Sequence, residues 1–90
     1  MANKSEISWV RRDENGEKLQ VYAFQFGREW KFHHRHKRYD QWAVIPEPPL
    51  EDWMELLEAM HRLAQRRRMK PVDVQRVEQL IRERFPEAKI

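Results

Sequence analysis

Apolar residues alternate with polar ones through the first half of the chain and recur every three or four positions in the second. The first period belongs to a half-buried strand and the second to an amphipathic helix. Residues 6–12, 18–26 and 30 to about 38 therefore read as three strands, and Trp42 to Ile45 as a short fourth. Asp13 to Glu17 contains Asn15-Gly16, a hairpin signal because both residues tolerate positive φ. Pro46-Glu47-Pro48-Pro49 reads as a stiff connector over 46–49 that forbids helix until its last residue. Beyond it, Leu50, Trp53, Met54, Leu56, Leu57, Met60, Leu63 and Ala64 share one broad face of a helix spanning 49–68, with His61 at its edge. Pro71 suits a first turn and Pro86 a stop, so a second helix covers 72–85 with Val74, Val77, Leu80, Ile81 and Phe85 as its stripe. The order β-β-β-(β)-α-α predicts a single α+β domain over residues 1–90. Its three- or four-stranded antiparallel sheet (6–45) is expected to be backed by the two C-terminal helices.

The register of the sheet has two solutions. If Gly27-Arg28-Glu29 is a three-residue loop and Asn15-Gly16 a two-residue turn, one face collects Ile7, Trp9, Tyr22, Phe24, Phe26, Trp30 and Phe32. If Gly27-Arg28 is the turn and Glu14-Asn15-Gly16 a bulged loop, the buried face is Ile7, Trp9, Leu19, Val21, Ala23, Trp30 and Phe32. Tyr22, Phe24 and Phe26 then stand outside. Turn chemistry prefers the second, because it seats glycine where positive φ is needed. Burial, at about 1.5–3 kcal/mol per large apolar side chain, prefers the first, which is the expectation adopted. Under either, strand periodicity places Lys31, His33, Arg35 and Lys37 on the face away from Trp30 and Phe32.

Composition narrows the class. The 90 residues include 18 Lys+Arg against 15 Asp+Glu, a formal net charge of +3, with ten aromatics that argue against disorder. Cysteine is absent, which removes disulfides, thiolate metal sites and thiol catalysis and fits a reducing cytoplasm. Apolar runs reach four residues where a membrane span needs about twenty, and Met1-Ala2-Asn3-Lys4-Ser5-Glu6 shows no signal peptide. The two isolated glycines exclude a glycine-rich phosphate loop.

The charge is unevenly spread. Residues 28–38 carry Arg28, Lys31, Arg35, Lys37 and Arg38 against Glu29, a net of +4; residues 61–70 carry Arg62, Arg66, Arg67, Arg68 and Lys70, a net of +5; residues 47–58 carry −5. Acids at the start and bases at the end of a helix also suit its dipole, and cations on a strand discourage edge-to-edge aggregation. Three cations and a histidine on one strand face exceed those needs, and the joint occurrence of a second cluster strengthens the case. The two clusters suit phosphate contact, since Lys and Arg release counterions from a nucleic-acid backbone. The expected nucleic-acid contacts are Lys31, His33, Arg35, Lys37, Arg38, Arg66, Arg67, Arg68 and Lys70, for RNA or DNA. In the second register Tyr22, Phe24 and Phe26 would stand beside the cations, a mixture that suits single strands.

Other chemistry is weaker. His34 and His36 would share a strand face and, with Asp40 or His61, could hold a metal, but Arg35, Lys37 and Arg38 would repel a dication. His33 beside Lys31 and Arg35 could serve acid–base cleavage of RNA without metal. Gln75, Gln79 and Arg82 on the second helix could read a major groove, opposed by Glu78 and Glu83. Trp42, Trp53, Met54 and Met60 could line a partner groove, although such residues at helical spacing are usually core. The resulting expectation is a non-enzymatic nucleic-acid-binding or accessory module without cofactor or metal. A protein-interaction module, such as a homodimer, is the alternative, and a metal-independent endoribonuclease a third.

Overall fold

A computed structural model describes residues 6–90 of the protein; the run Met1 to Ser5, on which the signal-peptide reading rests, lies outside the described residues. Four strands, β1 (Ile7–Arg12), β2 (Lys18–Phe26), β3 (Glu29–Arg35) and β4 (Ala43–Val44), precede two helices, α1 (Leu50–Gln65) and α2 (Pro71–Arg84). The strands form one antiparallel sheet in the order β1-β2-β3-β4. This is an α+β chain with a four-stranded sheet followed by two helices. It divides into two compact units, Met1–Pro48 and Pro49–Ile90, at the proline-rich connector. No helix among the described residues is long and apolar enough to cross a membrane.

In the sheet unit the register is the one turn chemistry preferred. Val21 pairs with Trp9 and His34, Ala23 with Ile7 and Phe32, and Tyr22 with Ser8 and His33. The expectation that Tyr22, Phe24 and Phe26 lie on the buried face is therefore overturned. Leu19, Val21, Ala23 and Phe32 fill that face, with Trp9 edge-on to Phe32 at 6.0 Å. The two turns explain the outcome. Phe26 pairs with Glu29, so the loop is Gly27-Arg28, and Gly27 supplies the positive φ (65°) that a two-residue loop demands at its first position. In the first hairpin the Gly16 N–H donates to the Asp13 carbonyl (3.0 Å) and the Asp13 N–H to the Glu17 carbonyl (2.9 Å), with Gly16 at φ 78°. That is a type I turn closed by a left-handed glycine, a three-residue bulged loop. A one-residue slip would exchange the two faces of the sheet, so the backbone demands of two glycines outweigh the burial of three rings, of which Tyr22 and Phe24 recover part on the other face and Phe26 stays exposed.

β3 stops at Arg35 rather than running to residue 38. The Lys37 N–H donates to Asp40 Oδ2 (3.0 Å) and the Asp40 N–H returns to the Lys37 carbonyl (2.9 Å), which turns the chain.

In the helical unit Trp53, Leu56, Leu57 and Met60 of α1 and Val74, Val77 and Ile81 of α2 are buried, as the spacing predicts. Pro71 takes the first turn of α2. Met54, expected on the apolar face, is exposed, and Asp52 is wholly buried. His61 is not a core-edge residue: it is exposed and faces Glu78 of α2 across 3.5 Å. α1 ends three residues before Arg68. The Arg67 N–H bonds the Ala64 carbonyl (3.0 Å) and the Arg68 N–H the Leu63 carbonyl (2.8 Å), with Arg67 at φ 59°. This pair of bonds closing a left-handed residue is a Schellman motif.

Candidate nucleic-acid interface

Side chains on the face of the sheet opposite Val21 and Phe32 come together in cross-strand rows. Val10, Gln20 and Arg35 make one row; Ser8, Tyr22, His33 and Val44 the next; Phe24 and Lys31 a third. Adjacent strands lie about 4.8 Å apart, so neighbours in a row touch. Tyr22 and His33 have ring centroids 5.0 Å apart with planes 10° from parallel; Phe24 lies 5.6 Å from His33 and 6.0 Å from Tyr22, within 24° of the same plane. Trp42, from the segment before β4, meets Tyr22 edge-on at 4.6 Å. The Arg35 guanidinium lies 4.2 Å over the Trp42 ring and donates from Nε to Gln20 Oε1 (2.7 Å). The rings are half-buried against one another, and Phe26 at the end of the face is 69% exposed.

The cations on this face stay available. Arg35 has no carboxylate partner among the described residues. Lys31 meets Glu29 at 3.6 Å with both side chains largely in water, a pair of small strength. His33 adds its ring to this set, with its Nδ1 buried and without a hydrogen-bond partner. Of the row expected from residue 31 to 37, Lys31, His33 and Arg35 share the face. Lys37 and Arg38 lie beyond the strand end, exposed in the turn that Asp40 closes. Arg66, Arg67, Arg68 and Lys70 gather separately at the α1–α2 turn of the helical unit, exposed and without salt bridges among the described residues. Their neighbour Arg62 is bonded to Glu58 at 3.0 Å.

The two histidines weighed above as metal ligands, and set aside for the repulsion of Arg35, Lys37 and Arg38, line one pocket with Asp13. His34 lies within β3, whereas His36 falls past its end and bonds Asp13 Oδ2 through Nε2 at 2.7 Å. Asp40, one proposed third ligand, is committed to the Lys37 N–H. Asp13, Glu17 and His36 instead bring one ligand atom each within 4.8 Å of the others at the first hairpin. Asp13 already works there, with Oδ1 accepting the Asn15 and Glu17 N–H groups at 2.9 Å each. These bonds, the His36 contact first, hold its carboxyl below the usual carboxylate range despite partial desolvation. On α2, Gln79 bonds Glu83 and Arg82 the Ile90 carbonyl, so two of the three groups suited to a major groove are engaged within the unit. Of the residues weighed for a partner groove, Trp53 and Met60 are core, Met54 is exposed, and Trp42 belongs to the open sheet face.

Sequence reasoning missed Gln20 and Trp42 as members of the face. Gln20 was accessible through its alternation with Tyr22 and Phe24 on one strand. Trp42 sits in an irregular segment, where periodicity assigns no face. No protein-family model, curated protein or solved structure matches this chain.

Proposed function

We propose that the protein is a single-stranded nucleic-acid-binding module that uses the open face of its sheet. The observation that carries this reading is the near-parallel set of Tyr22, His33 and Phe24 rings flanked by Lys31 and Arg35. Every base has a π-face that stacks on an aromatic ring, while cations hold the phosphates. A duplex hides its base faces, so rings on an open sheet favour unpaired strands.

Fluorescence anisotropy with a labelled single-stranded RNA and a duplex of matching length, each at two salt concentrations, tests the reading. Single strands should bind more tightly than duplex, with affinity falling as salt rises. Tyr22→Ala and Phe24→Ala should each weaken binding by about 1–3 kcal/mol, the usual worth of one stacked base. Equal affinity for the duplex, or none for either, would overturn it.

A second reading is favoured by the apolar members of the same face, Val10, Phe26 and Val44, at 55%, 69% and 60% exposure. A second copy of the chain could cover them. Sedimentation at high protein concentration distinguishes the two, since a strict monomer leaves the nucleic-acid reading alone. The ribonuclease alternative draws less support, because His33 has one ring nitrogen closed off and His36 is bonded to Asp13 beyond the strand end.

A further inference from the structure

One end of the open face is concave. A cleft of about 580 Å³, within the about 300–1,000 Å³ range of small-ligand sites, is lined by Glu6, Ser8, Gln20, Tyr22, Arg35 and Trp42 among others. Its polar groups are fixed in a definite sense. The Arg35 Nε–H points at Gln20, which requires the amide oxygen there and turns the two amide N–H groups elsewhere. The Trp42 ring, 4.2 Å from the guanidinium carbon, restrains the group further. The outer guanidinium nitrogens and the Gln20 amide nitrogen have no partner among the described residues. The Gln20–Arg35 pair therefore presents more donors than acceptors, with one lone pair of the Gln20 amide oxygen left over, beside the Tyr22 and Trp42 rings.

We infer that Gln20 and Arg35 form a base-selective subsite for guanine within single-stranded nucleic acid, an inference that rests on the reading above. A pair in which donors predominate suits a base edge with two adjacent acceptors. Guanine offers O6 and N7, the pair that arginine grips bidentately. Adenine places an amino donor beside N7 and would set donor against donor; cytosine does the same at that edge but offers N3 and O2 on its open Watson–Crick edge, which makes it the competing base in the test. Thymine and uracil offer a single acceptor there. Glu6, an exposed carboxylate on the lining, adds an acceptor suited to guanine's own amino group and repels a bare phosphate. The cleft thus takes a base, while Lys31 beside Phe24 is placed for the backbone.

The test uses uridine oligonucleotides of about nine residues, all-uridine or carrying one central guanine, adenine, cytosine or 7-deazaguanine, titrated by anisotropy at one fixed salt. Guanine should bind about tenfold or more tightly than adenine at that position. Replacing N7 by carbon should remove most of the preference, an arm that needs no protein variant. Within Arg35→Lys, which keeps the charge and loses the fork, the guanine-to-adenine ratio should fall towards one whatever the overall affinity. Equal binding of all central bases, or tightest binding of the all-uridine strand, overturns the subsite and leaves the stacking reading standing. No binding of any oligonucleotide overturns both.

Discussion

Arg67 occupies, at φ 59°, the position after a helix where glycine is the usual residue. A side chain there meets the following carbonyl and costs roughly 1–2 kcal/mol. Arg67→Gly should accordingly raise stability by about 1 kcal/mol in urea denaturation, and an unchanged midpoint would refute the strain. Gly27 is the reverse case, because it sits at φ 65° with open space where a Cβ would go. Gly27→Ala should cost about 1 kcal/mol through backbone conformation alone. Asp13 ties its hairpin through Oδ1 and reaches His36 through Oδ2. Its folded carboxyl titrates below its unfolded value. The stabilisation is therefore complete above the unfolded value near pH 4 and disappears as acid carries the pH through the lower, folded one. Wild type should exceed Asp13→Asn in urea stability at pH 7, and the gap should close on acidification below about pH 4; a gap persisting at about pH 2 would contradict the assignment.

At the scale of elements, the hairpin register decides which aromatic residues are core. Phe32 is 2% exposed and Phe26 69%, although both belong to the run of alternating aromatics on β2 and β3. Phe32→Ala should cost about 3–5 kcal/mol, whereas Phe26→Ala should stay within about 0.5 kcal/mol. Comparable losses at the two positions would mean the other register. The elements themselves were legible: alternation located β1, β2 and most of β3, the prolines located the connector, and helical spacing located the α1 and α2 cores. Element ends were less so. β3 ends early because Asp40 captures a backbone N–H, and α1 ends early because Arg67 turns left-handed, and neither has a signature in hydrophobic period.

For the molecule as a whole, the two basic clusters can be told apart by salt. Each phosphate contact lowers the slope of log affinity against log salt by about 0.7 for single strands. Lys31→Ala should therefore flatten the slope by roughly one contact. Arg68→Ala should do the same only if the α1–α2 turn touches the same strand; an unaltered slope would confine the interface to the sheet unit. An unchanged slope for Lys31→Ala would remove that lysine from the interface.

The sequence by itself determined the strand and helix content, their order, and the shared face of Lys31, His33 and Arg35, because these follow from local periods of two and 3.6. Tertiary structure decided which face of β2 turned outward, and with it whether Tyr22 and Phe24 joined those cations. A one-residue difference in two loops reverses every side chain while leaving the periodic pattern intact. It also brought Gln20, Arg35 and Trp42 into one cleft, since contact between residues far apart in the chain depends on strand pairing and on the path of an irregular segment.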